Sequence, residues 1–379
     1  MTAVSRVAIV GGGVAGCATA ILLAKAGVAV DVFEQKPDLT ALGSGITLQG
    51  NALRVFDQLG VWEKVRERSY GFDLLGIRIP GPDATIVAEF PDQRTGGPEF
   101  PATAGMYRPE LARILVDRAT ELGVGLHFGV GVSALEADPD GVDVTLTDGT
   151  STRYDLVVGA DGLHSTVRSL IGIDLVPRRT GMGIWRAFVK RPESVTHTEL
   201  YYGGPAYIAG YCPTGEDSMY AYLVEDVQDR SGLTPEQGVE VMVGLSQAYH
   251  GPWDEIRAEL TPQSADRVNY TSFTEHIVDG RWNRGRVVLI GDAAHSCPPT
   301  IAQGAAQALE DAAVLAELLV AADVVDDTLW DAFEERRTSR ARAVVEASTQ
   351  LGTWLLEHNQ DADIPSLMNR IATLVSVPA

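Results

Sequence analysis

Arg6-Val7-Ala8-Ile9-Val10, followed at once by Gly11-Gly12-Gly13-Val14-Ala15-Gly16, is the stretch that decides the fold. The first five residues are an apolar run rich in β-branched side chains, the pattern of a fully buried strand. The next six carry Gly-x-Gly-x-x-Gly at Gly11, Gly13 and Gly16. Cys17 to Ala26 then reads as a small-faced helix stopped by Gly27, and Val28 to Phe33 as a second strand closing on Glu34. In that order the parts point to a dinucleotide site. Gly11 permits the tight turn, Gly13 lets a pyrophosphate approach the backbone, and Gly16 lets helix and strand pack closely. The positive helix start faces the phosphates, and Glu34 stands where an acid accepts hydrogen bonds from a ribose. Ala15 and Gln35 flank these groups and join the candidate contacts. The bland alternative is a glycine-rich turn in an ordinary βαβ unit.

The chain has 379 residues, enough for two domains and a sizeable core. A formal net charge of −21 argues against nucleic acid, which wants basic patches, but leaves room for anions bound by backbone amides. Cys17, Cys212 and Cys297 are far apart and without metal-ligand spacing, so neither a disulfide framework nor a metal site is expected. The chain enters a strand by Val7, with no room for a secretory leader, and holds no apolar run of about 20 residues. A cytoplasmic protein is the expectation.

Beyond Glu34, Asn51 to Leu59 has helical periodicity and ends at Gly60; Leu74 to Ile79 and Thr85 to Phe90 read as strands. Pro109 to Glu121 reads as a helix with proline in its first turn, and Val130 to Ala137 with Val142 to Thr147 as a hairpin around Asp138-Pro139-Asp140-Gly141. From Leu175 to Asp279 the texture changes to short alternating stretches with Trp and Tyr, with one helix expected at Pro235 to Ala248. That stretch reads as an antiparallel sheet inserted into the first domain. Arg286 to Ile290 returns to the buried-strand pattern, Gly304 to Ala321 is an Ala/Leu helix, and Leu329 to Leu356 continues as amphipathic helix.

Strand-to-loop corners recur at Gly13, at Asp161-Gly162 and at Gly291-Asp292, so all three are expected at the carboxyl edge of one sheet, where ligands bind. These corners and their neighbours resemble the single-component FAD-dependent aromatic hydroxylases of the para-hydroxybenzoate hydroxylase type. Four stretches carry the resemblance: Gly11 to Glu34; Arg108-Pro109-Glu110-Leu111; Asp161-Gly162-Leu163-His164-Ser165-Thr166-Val167-Arg168; and Gly291-Asp292-Ala293-Ala294-His295 with Pro298 and Pro299. Gly43-Ser44-Gly45-Ile46 and Asn51 also look like the family's loop and helix before the flavin ring. Where the family often has Gly-Gln-Gly-x-Asn, this chain has Ala302-Gln303-Gly304-Ala305-Ala306, which puts the backbone path there in question.

The resemblance implies an α/β fold: a Rossmann-like FAD-binding domain (1–72, 101–174, 280–345), an inserted antiparallel substrate domain (73–100, 175–279) and a C-terminal helical segment (346–379). It implies FAD on Gly11, Gly13, Ala15, Gly16, Glu34, Gln35, Ser44, Gly45, Arg108, Asp161, Arg168, Asp292, Gln303, Gly304 and Ala305. It also implies NADH or NADPH as transient reductant, and a flavin C4a-hydroperoxide that passes oxygen to a small aromatic or heteroaromatic ring. In the family the aspartate matching Asp292 binds the ribityl chain, and the helix start at Gln303-Gly304 places N–H groups near the flavin N1–C2 carbonyl. Asp161 and Arg168 admit a second reading as a structural ion pair, and Arg108 as a partner of Glu110 or a surface acid. His295 reads as structural and Cys297 as an inert neighbour.

Substrate contacts are sought among Arg186, Tyr211, Tyr220, Tyr222 and Pro299. Alternation puts Tyr220 and Tyr222 on one face. Arg186 either binds a substrate carboxylate or sits on the wet face of the sheet. The rival readings are another flavin oxidoreductase on this scaffold, including an antibiotic hydroxylase or a two-electron reductase, and a non-catalytic flavin sensor. The Trp-x-Trp-x-Ile-Pro stretch of flavin halogenases is missing. A monomer or homodimer is expected.

Overall fold

The structure is a computed structural model and describes residues 2–38 and 45–379; Ser44 lies outside the described residues. A six-stranded sheet runs in the order Asn283–Arg284, Val287–Leu289, Leu156–Gly159, Arg6–Val10, Ala29–Glu34, Gly125–Phe128. All but the first of these strands are parallel. Parallel pairing demands cover on both faces, which is why Arg6–Val10 and Leu156–Gly159 are almost wholly apolar and inaccessible. The helix Val14–Lys25 packs on this sheet and against helix Gly304–Ala321, and its small residues allow the close approach.

The second large sheet has eight strands in the order His295–Ser296, Val268–Ile277, Arg178–Lys190, Ser218–Asp226, Ile208–Pro213, Thr198–Tyr202, Leu74–Arg78, Ile86–Pro91. Its pairs are antiparallel except Thr198–Tyr202 on Leu74–Arg78, which are parallel. Arg178–Lys190 is longer than the alternating stretch from Gly183 to Val189, and its pairing with Val268–Ile277 shifts register between Arg179 and Gly183. The expected helix is present as Pro235–Ser246, and a second follows at Pro252–Glu259. That second helix has only two turns and few apolar residues, too little periodicity to read in sequence, but Trp253 and Ile256 anchor it completely.

These two short helices cover one face of the eight-stranded sheet. Trp185, Tyr201, Tyr211 and Leu223 meet Met242, Tyr249 and Trp253 in an enclosed core there. The opposite face carries Arg186, Phe188, Tyr220 and Tyr222 and turns toward the three-stranded sheet Gly45–Gln49, Thr103–Tyr107, Ser69–Phe72. Tyr107 and Phe188 meet across that junction with ring centroids 4.3 Å apart. The last turns of the long helix Asp327–Leu356 close the far end of this face through Leu355 and Leu356. Among the described residues no helix is long and apolar enough to cross a membrane.

Candidate active site

Three glycine-acid corners follow three neighbouring parallel strands, Arg6–Val10, Leu156–Gly159 and Val287–Leu289, and so lie together at one carboxyl edge. The glycines differ in what they do. Gly11 has φ +110°, and a Cβ on it would come within 2.3 Å of the Ala160 carbonyl oxygen of the next corner. Gly16 would meet the Gly11 carbonyl oxygen at 2.0 Å, so helix and strand touch there. Gly13 faces open space, the condition for a ligand to lie against its backbone. Ala15 sits beneath the third corner, 3.1 Å from where a Cβ on Gly291 would be. Glu34 accepts N–H bonds from Gly12 and Lys36, both at 2.9 Å, which fixes its carboxylate at the mouth of the corner. Gln35, next to it, is exposed.

Asp292 rides on the short turn Gly291–Ala293. Its side chain opens onto the crevice and has no hydrogen-bond partner among the described residues. Burial by the surrounding walls pushes its carboxyl above the usual range, against the pull of His295 and Arg108. Behind it, helix Gly304–Ala321 starts without a side-chain cap, so N–H groups of its first turn, from Gly304 and Ala305 onward, have no intrahelical or capping acceptor. Gly304 itself faces open space. Gln303 is fully buried, with its side chain bound to Gln49, Asn51 and Gln307, so it supports the helix start from behind. Ala302, where the family favours glycine, takes φ +54°. The backbone therefore follows the glycine path with an alanine on it, at a cost of about 1 kcal/mol in strain.

Asp161 and Arg168 form no ion pair with each other. Asp161 accepts from Ser165 Oγ and from the Val167 N–H and so caps the short helix Thr166–Leu170. Arg168 is 3% exposed, and its guanidinium donates to the carbonyls of Ala293 and Leu163, each at 2.9 Å. It thus ties the second corner to the third. Arg108 is exposed and has no partner among the described residues, while Glu110 pairs with Arg113 instead. The field of Arg108 reaches Asp292, Arg186 and Tyr220, which places it in the crevice between the two large sheets.

On the sheet's crevice face, Tyr220 and Tyr222 stack side by side, centroids 5.5 Å apart, as alternation predicted. Tyr220 O–H shares a hydrogen bond with Thr47 Oγ1, and the Tyr220 ring occupies the space a Cβ on Gly45 would need. Tyr222 lies across the ladder from Arg186 and Gly210; the missing Cβ of Gly210 makes room for its ring. Arg186 donates to Thr271 Oγ1 at 2.9 Å, and no carboxylate of the described residues faces it. Burial, with the nearby Arg108 adding to it, pushes its pKa down to about 10. The Tyr222 hydroxyl has no partner among the described residues. Tyr211 goes elsewhere. Register puts Gly210, not Tyr211, beside Tyr222, so Tyr211 points into the helix-covered core and donates to Glu199. Pro299 is exposed and Pro298 buried in the loop entering the helix.

A family model described as "FAD binding domain" matches residues 4–348. The chain belongs to this FAD-binding family. Aurachin C monooxygenase/isomerase of Stigmatella aurantiaca is 32% identical over 358 residues, 92% of this chain and 90% of that protein. The 3-hydroxybenzoate 6-hydroxylase of Polaromonas naphthalenivorans is 30% identical, over 91% of this chain and 87% of that protein. Among solved structures, 2-methyl-3-hydroxypyridine-5-carboxylic acid oxygenase superposes with a TM-score of 0.79 at 27% identity, covering 97% of this chain and 96% of that one. Klebsiella pneumoniae HpxO, complexed with FAD and uric acid, gives a TM-score of 0.84 at 22% identity, over 98% of this chain and 97% of that one, and shares the fold. The protein is an FAD-dependent monooxygenase of aromatic compounds.

Sequence reasoning missed Thr47, Asp311 and Arg337. Thr47 had no signal. Asp311 had one: Glu310-Asp311 interrupts the apolar face of an otherwise Ala/Leu helix.

Proposed function

We propose that the enzyme hydroxylates a small aromatic or heteroaromatic ring bearing an acidic group, with NADH or NADPH as electron donor. FAD supplies oxygen activation when bound; the residues of this chain bind, orient and keep the site dry. The crevice residues fit that group: open backbone at Gly13, an unpartnered Asp292 for ribityl hydroxyls, and uncapped N–H groups at the Gly304 helix start for a flavin carbonyl. Arg108 would meet the same cofactor.

One observation carries the substrate reading: Arg186, half-buried in the crevice and without a carboxylate partner among the described residues, stands opposite the unpartnered Tyr222 hydroxyl on the crevice face. A buried charge without its counterion is costly, so a ligand that brings a carboxylate or an ionised ring hydroxyl is favoured. With a pKa of about 10, Arg186 keeps its charge at neutral pH. Tyr220 and Phe188 give the ring an apolar wall.

The test is NADH and NADPH oxidation by FAD-loaded protein with hydroxybenzoates and hydroxypyridine carboxylates against their carboxamides, with hydrogen peroxide followed alongside. The acids are expected to accelerate oxidation without stoichiometric peroxide, and the carboxamides to lose at least ten-fold in kcat/KM. Equal turnover of acid and amide would refute the Arg186 assignment. Bound FAD with no acceleration by any ring would favour a flavin sensor.

A further inference from the structure

Behind the crevice lies a set of buried charges with no access to it. Asp311 and Arg337 are both fully inaccessible. Asp311 Oδ2 accepts the Gly291 N–H at 2.8 Å and meets His295 Nε2 at 2.7 Å. Asp311 Oδ1 accepts from Arg337 Nε, also at 2.7 Å. One carboxylate therefore grips the turn bearing Asp292 at both ends, one residue before it and three after. From the other side, Arg168 holds the Ala293 carbonyl. The turn has no slack of its own: Gly291 takes φ +57°, and a Cβ there would press on Ala15 at 3.1 Å and Ala308 at 3.2 Å. The Asp292 side chain makes no bond that would orient it.

We infer that Asp311 is a positioning residue for the flavin site, holding the Gly291–His295 turn in its cofactor-binding conformation, with Arg337 of the long helix Asp327–Leu356 setting Asp311 in turn. Two further observations support it. Burial alone would neutralise Asp311, but His295 and Arg337 pull its pKa down to about 2, so the clamp is ionised throughout the neutral range. Next to Asp311, Glu310 accepts from Arg337, Arg340 and Asn51, and Asn51 and Gln303 bond to each other, so the same helix pair fixes the Gly304 helix start. The helix Asp327–Leu356 thus reaches both the Gly291–His295 turn and the Gly304 helix start through Asp311 and Glu310.

The test uses full-length apoprotein of the wild type, Asp311→Asn and the charge-balanced Asp311→Asn/Arg337→Gln. Removing both charges leaves no unpaired ion in the core, so the double variant is the one expected to fold if the single does not. FAD affinity, read by flavin fluorescence on titration, is expected to weaken at least ten-fold in both. Amide exchange of residues 291–295 in the apoprotein is expected to rise at least ten-fold, while strand 6–10 exchanges as in wild type. Wild-type FAD affinity in either folded variant overturns the inference. Exchange that rises equally along strand 6–10 also overturns it, since that marks general loosening.

Discussion

The two faces of the eight-stranded sheet are built from the same strands and the same residue types, yet differ in one property. On the helix-covered face the tyrosines and the buried ion pair are satisfied: Tyr201 O–H donates to the His250 carbonyl, Tyr211 to Glu199, and Tyr249 to the Gly203 carbonyl. Arg78 closes the set with two bonds to Glu199; among the described residues of this face, Trp253 Nε1 and, at the sheet's edge, His197 Nε2 lack a hydrogen-bond partner. On the crevice face Arg186 and Tyr222 are half-buried and keep unmet hydrogen-bonding capacity, and Arg108 and Asp292 face the same gap. Burial of a polar group is tolerated when a partner is present in the fold. Where the fold supplies none, a ligand is the natural partner. Polar satisfaction, more than residue type, separates the structural face from the working one.

The comparison breaks first, and hardest, at Trp253. Trp253→Ala on the structural face is expected to cost about 3–5 kcal/mol of stability, by analogy with other buried aromatic truncations. Chemical denaturation would read this, and the KM of the remaining folded enzyme should not move. A changed KM with unchanged stability would reverse the roles of the two faces.

The seam between the sheets gives a pH test. His276 is buried against Arg168 and bonded to Ser296, and burial, with Arg168 and then His295 adding to it, pushes its pKa down to about 4 from an ordinary 6.5. Between those values the unfolded chain binds a proton that the folded chain refuses. Stability is therefore complete above about pH 6.5 and falls as pH drops toward 4, by about 3 kcal/mol for this group. His276→Gln should flatten that part of the profile measured by thermal melting; an unchanged slope would remove His276 from it.

On the working face the sign reverses. Arg186→Met removes a half-buried charge without a carboxylate partner among the described residues and is expected to leave stability within about 0.5 kcal/mol. It should raise KM for an acidic aromatic by about a hundred-fold, which is about 2.7 kcal/mol. Loss of stability without a KM effect would make Arg186 a structural residue like Arg78.

The smallest effect is sought in the loop entering the long Ala/Leu helix. Ala302→Gly relieves a left-handed alanine and should raise the melting midpoint by an amount equivalent to about 0.5–1 kcal/mol, with FAD affinity retained. A fall in stability would show that the alanine methyl packs more than it strains.

Much of the dinucleotide half was legible because its signals are local. Each corner is a strand, a turn and a helix contiguous in sequence, and Gly11, Gly13 and Gly16 announce three different steric needs within six residues. Alternation likewise joined Tyr220 with Tyr222 inside one strand. Tyr211 shows where that reasoning stops. Its parity within Ile208–Pro213 was plain, but only the pairing of Gly210 with Tyr222 reveals that this parity faces the helices. Arg168 shows the same limit: the motif marked it together with Asp161, but while Asp161 is bound locally by the Val167 N–H, the partner of Arg168, the Ala293 carbonyl, depends on where the third corner lands.

By itself, then, the sequence determined the element order, the phosphate-binding turn and the set of polar residues available to a flavin and an aromatic ring. These follow from backbone sterics and periodicity over a few residues, which neighbouring side chains settle among themselves. The tertiary structure alone decided which face of the inserted sheet keeps unmet polar groups and which buried charges stand behind Asp292. Asp311 reaches Gly291 across 20 residues and Arg337 across 26, and such contacts exist only once the helices have packed. Whether a buried polar group is satisfied is a property of its whole neighbourhood, and that neighbourhood is assembled from distant segments of the chain.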